Sequence, residues 1–200
     1  AMTNTTITTE PIAARGRSVS YFADRTWRDW LVALALIAGA AFAWQRFHGF
    51  MDIYEKAILI GVVPCMIALL WFWRPLQTLT AVTVGSSLLA IYLYPSTLEG
   101  AEQVFLLKYF LSSQSAILWM CVLFGMACIF YWLSLLSKNQ AQGLGQIASR
   151  LTWAAVALAL IGMFVRWFES YLLGADIGHI PVSNLYEVFV LFCWLTALFY

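Results

Sequence analysis

Residues 31–44 read LVALALIAGAAFAW, fourteen positions without a charge. Taken outward over 30–47, the run approaches the about 20 mostly apolar residues that a helix needs to cross ~30 Å of hydrocarbon. Runs of the same kind recur at 57–73, 76–94, 115–136 and 151–167, and a sixth starts near Tyr186. Hydrocarbon offers no partner to an unpaired N–H or C=O, so such runs are expected to be helices. The fold predicted is all-α, a polytopic transmembrane helical bundle with about six spans. Pro64 falls inside the second run, where neighbouring helices can satisfy the carbonyl it frees. Arg74-Pro75 marks a tight break, because proline disfavours helix at the residue before it. Pro95 closes the third run, and a loop with Glu99, Glu102 and Lys108 follows. Residues 137–150 read as a polar linker. The sixth run has no charged stop and no turn signal before Tyr200, which predicts a chain that stops inside a helix, as the N-terminal portion of a longer protein.

Composition agrees. Of 200 residues, 62% are apolar and 10% charged, with mean hydropathy +0.80, against about 45–50% and about 25% in soluble domains. A disordered chain, a nucleic-acid binder and a cytosolic enzyme are excluded, since each needs more polar or basic surface. Cys65, Cys121, Cys128 and Cys193 lie in apolar runs and read as buried small hydrophobes. There is no Cys-x-x-Cys-His, so the chain does not itself carry covalently attached haem as a c-type cytochrome. Residues 1–26 are polar and Thr-rich, read as a cytosolic tail, and 27–165 as a five-span hydrophobic region.

Charge sets the expected orientation. With the N-terminus inside, seven basic residues (Arg15, Arg17, Arg25, Arg28, Arg74, Lys138, Arg150) fall inside and four (Arg46, Lys56, Lys108, Arg166) outside, as the positive-inside rule requires. Both histidines, His48 and His179, then lie on the outer face. Trp27, Trp30, Trp44, Trp71, Trp73 and Trp167 sit near span ends and read as interfacial belts.

Phosphate-loop, zinc and nucleophile-elbow motifs are missing. Ala35, Gly39 and Ala43 recur every four residues, a close-packing face. Cys121 and Cys128 are two turns apart on one helix, about 10 Å, too far for a disulfide. The informative stretch is Arg166-Trp167-Phe168-Glu169-Ser170, a short loop, and then GHIPVSNLYE at 178–187. Pro181 sets an extended or turn conformation, Ser183 or Asn184 can cap the following helix, and Glu187 lies in its first turn, where a carboxylate complements the dipole. With Asn184 as the cap, Glu187 has capping-box spacing.

The run GHIPVSNLYE, preceded by Arg166-Trp167, resembles the Gly-His-x-Pro-x-Ser-Asn-x-Tyr-Glu signature of the CcsA/CcsB family of c-type cytochrome biogenesis proteins. The signature positions are Gly178, His179, Pro181, Ser183, Asn184, Tyr186 and Glu187, and residues 166–200 would begin the haem-handling domain. The resemblance implies an inner-membrane component of bacterial cytochrome c assembly, N-terminus cytoplasmic, that transports haem or presents it on the outer face for attachment to apocytochrome c. It implies haem, apocytochrome c and a membrane biogenesis protein of the same system as partners, besides the lipid bilayer, and no nucleic acid. It also puts the family's Trp-rich haem segment and axial ligands beyond Tyr200. The chain would be part of a synthase system, with no catalytic motif of its own here. Candidate haem contacts are His179, Arg166 and Tyr186. His179 either ligates iron or donates a hydrogen bond that steadies the loop. Arg166 either pairs with Glu169 or binds haem propionates. Asn184, Tyr186 and Glu187 read first as structure that fixes the loop, and His48 as an interfacial residue or part of a haem path. Alternative functions are a small-molecule permease and a membrane anchor subunit of a respiratory complex.

Overall fold

A computed structural model of the chain describes residues 25–49, 51–95, 98–137, 140–174 and 178–199. They form helices and connecting segments, with no strand among the described residues. Among the described residues, five helices are long and apolar enough to cross a bilayer. The chain is an all-α, multi-pass membrane protein. It divides into two compact units, one up to Arg74 and one from Pro75.

The first unit is a helical hairpin. Helix α1 covers Trp27–Phe47 and α2 Ile53–Phe72. At the start of α1, the N–H and hydroxyl of Thr26 both donate to the Asp29 carboxylate, at 2.8 and 2.9 Å, satisfying groups that a helix terminus leaves without partners. Asp52 and Glu55 do the same for α2: the Asp52 carboxylate accepts from the Ile53 N–H at 2.7 Å and the Glu55 carboxylate from the Asp52 N–H at 2.9 Å. The hairpin closes at the α1 start and α2 end, where the Trp71 indole N–H donates to the Asp29 carbonyl at 2.9 Å. There Trp30 meets Trp71 edge-on at 5.3 Å between ring centroids. His48 lies at the other end of α1, exposed, its N–H donating to the Trp44 carbonyl.

Only Trp73 separates α2 from α3, Arg74–Leu93, because Pro75 fits the first turn of a helix but disfavours helix before it. After α3 come a 3-10 turn at Glu99–Gln103 and a π-helical turn at Leu107–Leu111. Then follow α4 (Ser113–Leu136), α5 (Ala141–Leu173) and α6 (Leu185–Phe199). Helices α4 and α5 form the antiparallel centre of the second unit. Ile117 and Met120 of α4 pack against Ala155, Ala159 and Met163 of α5 and Val190 of α6. A second cluster joins Ala90, Ala101 and Leu107 to Ile161 and Val165.

Gly162 marks a close approach of α4 and α5: a Cβ there would stand 2.8 Å from Ile117 Cγ1. For Gly162→Ala, the about 1 kcal/mol gained in helix propensity offsets the displacement of Ile117, and stability is expected to stay near that of the parent. Gly162→Leu brings three more carbons into the same space and is expected to lose about 2–3 kcal/mol. Reversible SDS unfolding in detergent micelles measures both, and a Gly162→Leu protein as stable as the parent refutes this packing.

Several sequence expectations need correction. The polar segment 137–150 is helical from Ala141 onward, so α5 has 33 residues and is about 50 Å long at 1.5 Å per residue. Alanine, glutamine and arginine propagate a helix without a hydrophobic stripe, so hydropathy alone starts the helix too late. The loop after Pro95 contains two short helical turns instead of irregular chain. All four cysteines are exposed in the isolated chain, because a thiol is apolar enough to face lipid as readily as a core. Trp71, read as a belt residue, is buried and holds the α1–α2 hairpin. Helix α6 has 15 residues, short of a full span; Tyr200 lies outside the described residues.

Candidate functional site

Four helix ends meet at one end of the second unit: the C-termini of α3 and α5 and the N-termini of α4 and α6. Two buried glutamates, Glu169 and Glu187, connect them.

Glu169, in the last turns of α5, is 6% exposed. It accepts from the Ser113 N–H at 3.0 Å, from the Ser113 hydroxyl at 2.5 Å and from the Tyr94 hydroxyl. Ser112 caps α4 itself, its hydroxyl accepting from the Ser115 N–H. Glu169 thus occupies, from a different helix, the position where a helix N-terminus favours an anion. Burial, reinforced by the bond to Glu169 and by its charge, pushes the Tyr94 phenol well above its ordinary range, so it remains a protonated donor.

Glu187, in the first turn of α6, is 2% exposed. Its N–H donates to the Asn184 side-chain oxygen at 2.9 Å, so Asn184 is the cap of the two candidates. The reciprocal bond falls one residue earlier than in a standard capping box: Glu187 Oε2 accepts from the Ser183 N–H at 3.1 Å. The other oxygen, Oε1, lies 3.5 Å from Arg166 Nε and 3.7 Å from His179 Nε2. Arg166 also reaches Glu169, at 3.9 Å. Arg166 therefore stands between two buried carboxylates, one at the N-terminus of α4 and one at that of α6.

The loop is fastened to α5 by Ser170. Its hydroxyl donates to the Trp167 carbonyl at 2.7 Å and accepts from the His179 N–H at 3.2 Å. The Gly178 N–H donates to the Gly174 carbonyl at 3.0 Å. A Cβ on Gly178 would overlap the Tyr171 ring, which gives the glycine of the signature run a steric reason. Pro181 is buried in the turn that follows. Tyr186 is half-exposed on the first turn of α6, and among the described residues no hydrogen bond joins it to this cluster. Sequence spacing identified the Arg166–Glu169 pair and the cap, but not Tyr94, Ser113 or Ser170. The available signal was Glu169 itself, an ionisable residue inside an apolar run.

A cavity of about 370 Å³ opens beside the cluster, with Tyr94, Glu102, Lys108, Ser115, Arg166 and Glu169 in its wall. A separate apolar groove of about 360 Å³ between α3 and α5 is lined by Leu88, Ile91, Phe164, Trp167 and Phe168 among others. Arg166 and Lys108 line the polar cavity together with the acids Glu102 and Glu169. His179 places Nε2 3.7 Å from the Glu187 carboxylate, and its side chain is about one-third exposed. Among the described residues, no three His, Cys, Asp or Glu side chains converge as metal ligands. In comparisons with protein-family models, curated proteins and solved structures, nothing matches this chain.

Proposed function

We propose that the protein is a component of c-type cytochrome biogenesis of the CcsA/CcsB type, residing in the bacterial inner membrane with its N-terminus in the cytoplasm. It presents haem on the outer face to apocytochrome c, together with a membrane partner of the same system. One observation carries this reading: the resembling run, Gly178 to Glu187 with Arg166-Trp167 before it, is also the segment whose polar groups close the buried end of the second unit. In this reading that end faces outward. Haem supplies the vinyl groups to which the thiols of a Cys-x-x-Cys-His apocytochrome add, forming thioethers. The residues of this chain perform no acid–base step. Arg166 and Lys108 hold a propionate at the rim of the polar cavity, while Ser170, Asn184 and Glu187 keep the loop, and with it Arg166, in place. His179 serves here as a loop residue paired with Glu187, and the axial ligands come from elsewhere in the assembly.

The test is spectroscopic and genetic. The protein purified from its native membrane is expected to show a Soret band, and deletion of the gene to abolish covalent haem in c-type cytochromes while b-type cytochromes persist. Absence of the band together with normal c-type cytochromes overturns the assignment. A reporter fused after Lys138 is expected to read cytoplasmic, and an external reading overturns the orientation.

A further inference from the structure

Where α1 begins and α2 ends, three arginines and one buried acid lie close in the fold. Asp29 is buried, its carboxylate held by Thr26 and 3.9 Å from Arg74 Nη2. Arg25 donates to the Trp71 carbonyl at 2.7 Å, with its guanidinium 5.4 Å from the centre of the Trp71 ring. Trp71 in turn donates to the Asp29 carbonyl. Arg25, before α1, and Arg74, after α2, are thus brought to the same Asp29–Trp71 pair. Arg28 adds a third guanidinium, 5.7 Å from the ring centre of Trp27. Three guanidiniums thus lie at this end of the hairpin, with Arg28 and Arg74 exposed.

The surroundings indicate what such a cluster faces. The charged cluster adjoins two apolar spans, and Trp27 and Trp30 are exposed at the same level, as indoles are where hydrocarbon meets headgroups. Phosphates of anionic lipids lie at that depth. A guanidinium donates two parallel hydrogen bonds to phosphate oxygens, and basic clusters between helix ends hold lipid headgroups. The arginines are also pre-positioned, since Arg25 is tied to a backbone carbonyl and Arg74 to Asp29, which lowers the ordering that binding requires. We propose that the end of the α1–α2 hairpin formed by Arg25, Arg28 and Arg74 is a binding site for the phosphodiester of an anionic phospholipid, with Trp27 and Trp30 against its glycerol and upper acyl region. This site is independent of the haem reading.

The experiment uses the whole protein in nanodiscs of phosphatidylcholine alone or mixed with phosphatidylglycerol, with retained lipid counted by native mass spectrometry. The parent is expected to keep phosphatidylglycerol in preference to phosphatidylcholine. Arg28→Gln is expected to weaken that preference about fivefold, and Arg25→Gln with Arg74→Gln by about a further fivefold per charge. Equal retention by the parent and Arg28→Gln overturns the site, even if the double variant does not fold, because Arg28 is outside the Asp29 clamp. Inorganic phosphate that displaces the bound phosphatidylglycerol at millimolar concentration identifies a free-phosphate site and also overturns the proposal.

Discussion

Replacing Glu169 with alanine is expected to cost about 3 kcal/mol of stability and to loosen the start of α4. The carboxylate receives three hydrogen bonds, from the Ser113 N–H, the Ser113 hydroxyl and the Tyr94 hydroxyl. Bonds to a charged group contribute about 1.5–3 kcal/mol each, and they do not add, because the three donors converge on one side chain. What remains after truncation is more damaging than what is lost: Ser113 is buried, so its N–H and hydroxyl are left without partners away from water. Glu169→Gln keeps one acceptor oxygen but turns an amide toward existing donors, and about half the loss is expected. Tyr94→Phe removes one donor and leaves the other two, with about 1 kcal/mol expected. Reversible SDS unfolding orders the three, and hydrogen exchange at 113–116 locates the effect. If Glu169→Ala lies within about 0.5 kcal/mol of the parent, the range of ordinary surface changes, Glu169 does not anchor the α4 terminus.

Replacing Glu187 with alanine is expected to cost about 2–3 kcal/mol and to release the loop that precedes α6. Two roles are combined in this side chain. Oε2 accepts from the Ser183 N–H, and Oε1 is the buried end of the contacts with Arg166 and His179. Glu187→Gln separates them, since the amide oxygen can still accept from Ser183 whereas the charge facing Arg166 is gone. The larger share is expected to belong to the cap and burial, because Arg166 is about one-third exposed and solvent screens its side of the pair. A double-mutant cycle of Glu187→Gln with Arg166→Gln should accordingly give a coupling of about 1 kcal/mol or less. Amide exchange at Ser183 and Glu187 should accelerate in Glu187→Ala and much less in Glu187→Gln. Equal acceleration in both would assign the loop's order to the charge instead.

The spans were readable because hydrocarbon imposes one requirement on every residue between its faces, and a count of apolar residues measures it. Boundaries were less readable where that requirement stops. Residues 141–150 form the first turns of α5, although they are polar, since beyond the bilayer a helix needs only propensity to continue. The Asn184 cap was legible as a local pattern, three residues from Glu187. Glu169 was read as the partner of Arg166, three residues away, and that contact exists. Its stronger partners are 56 and 75 positions distant, at Ser113 and Tyr94. No short spacing encodes them.

By itself, the sequence determined that this chain is a multi-pass helical membrane protein, roughly where its helices run, and which short segment carries a family resemblance. Those are properties of composition and near-neighbour pattern, which solvent and backbone geometry dictate without reference to the rest of the chain. Tertiary structure decided how the few charges are used. Charges that counted only as side-of-membrane labels in the sequence became Asp29 beneath Arg74 at the α1–α2 hairpin, and Glu169 and Glu187 on either side of Arg166 at two helix N-termini. A buried carboxylate is stable only where donors from separate elements converge on it, and that convergence exists only once the helices have packed.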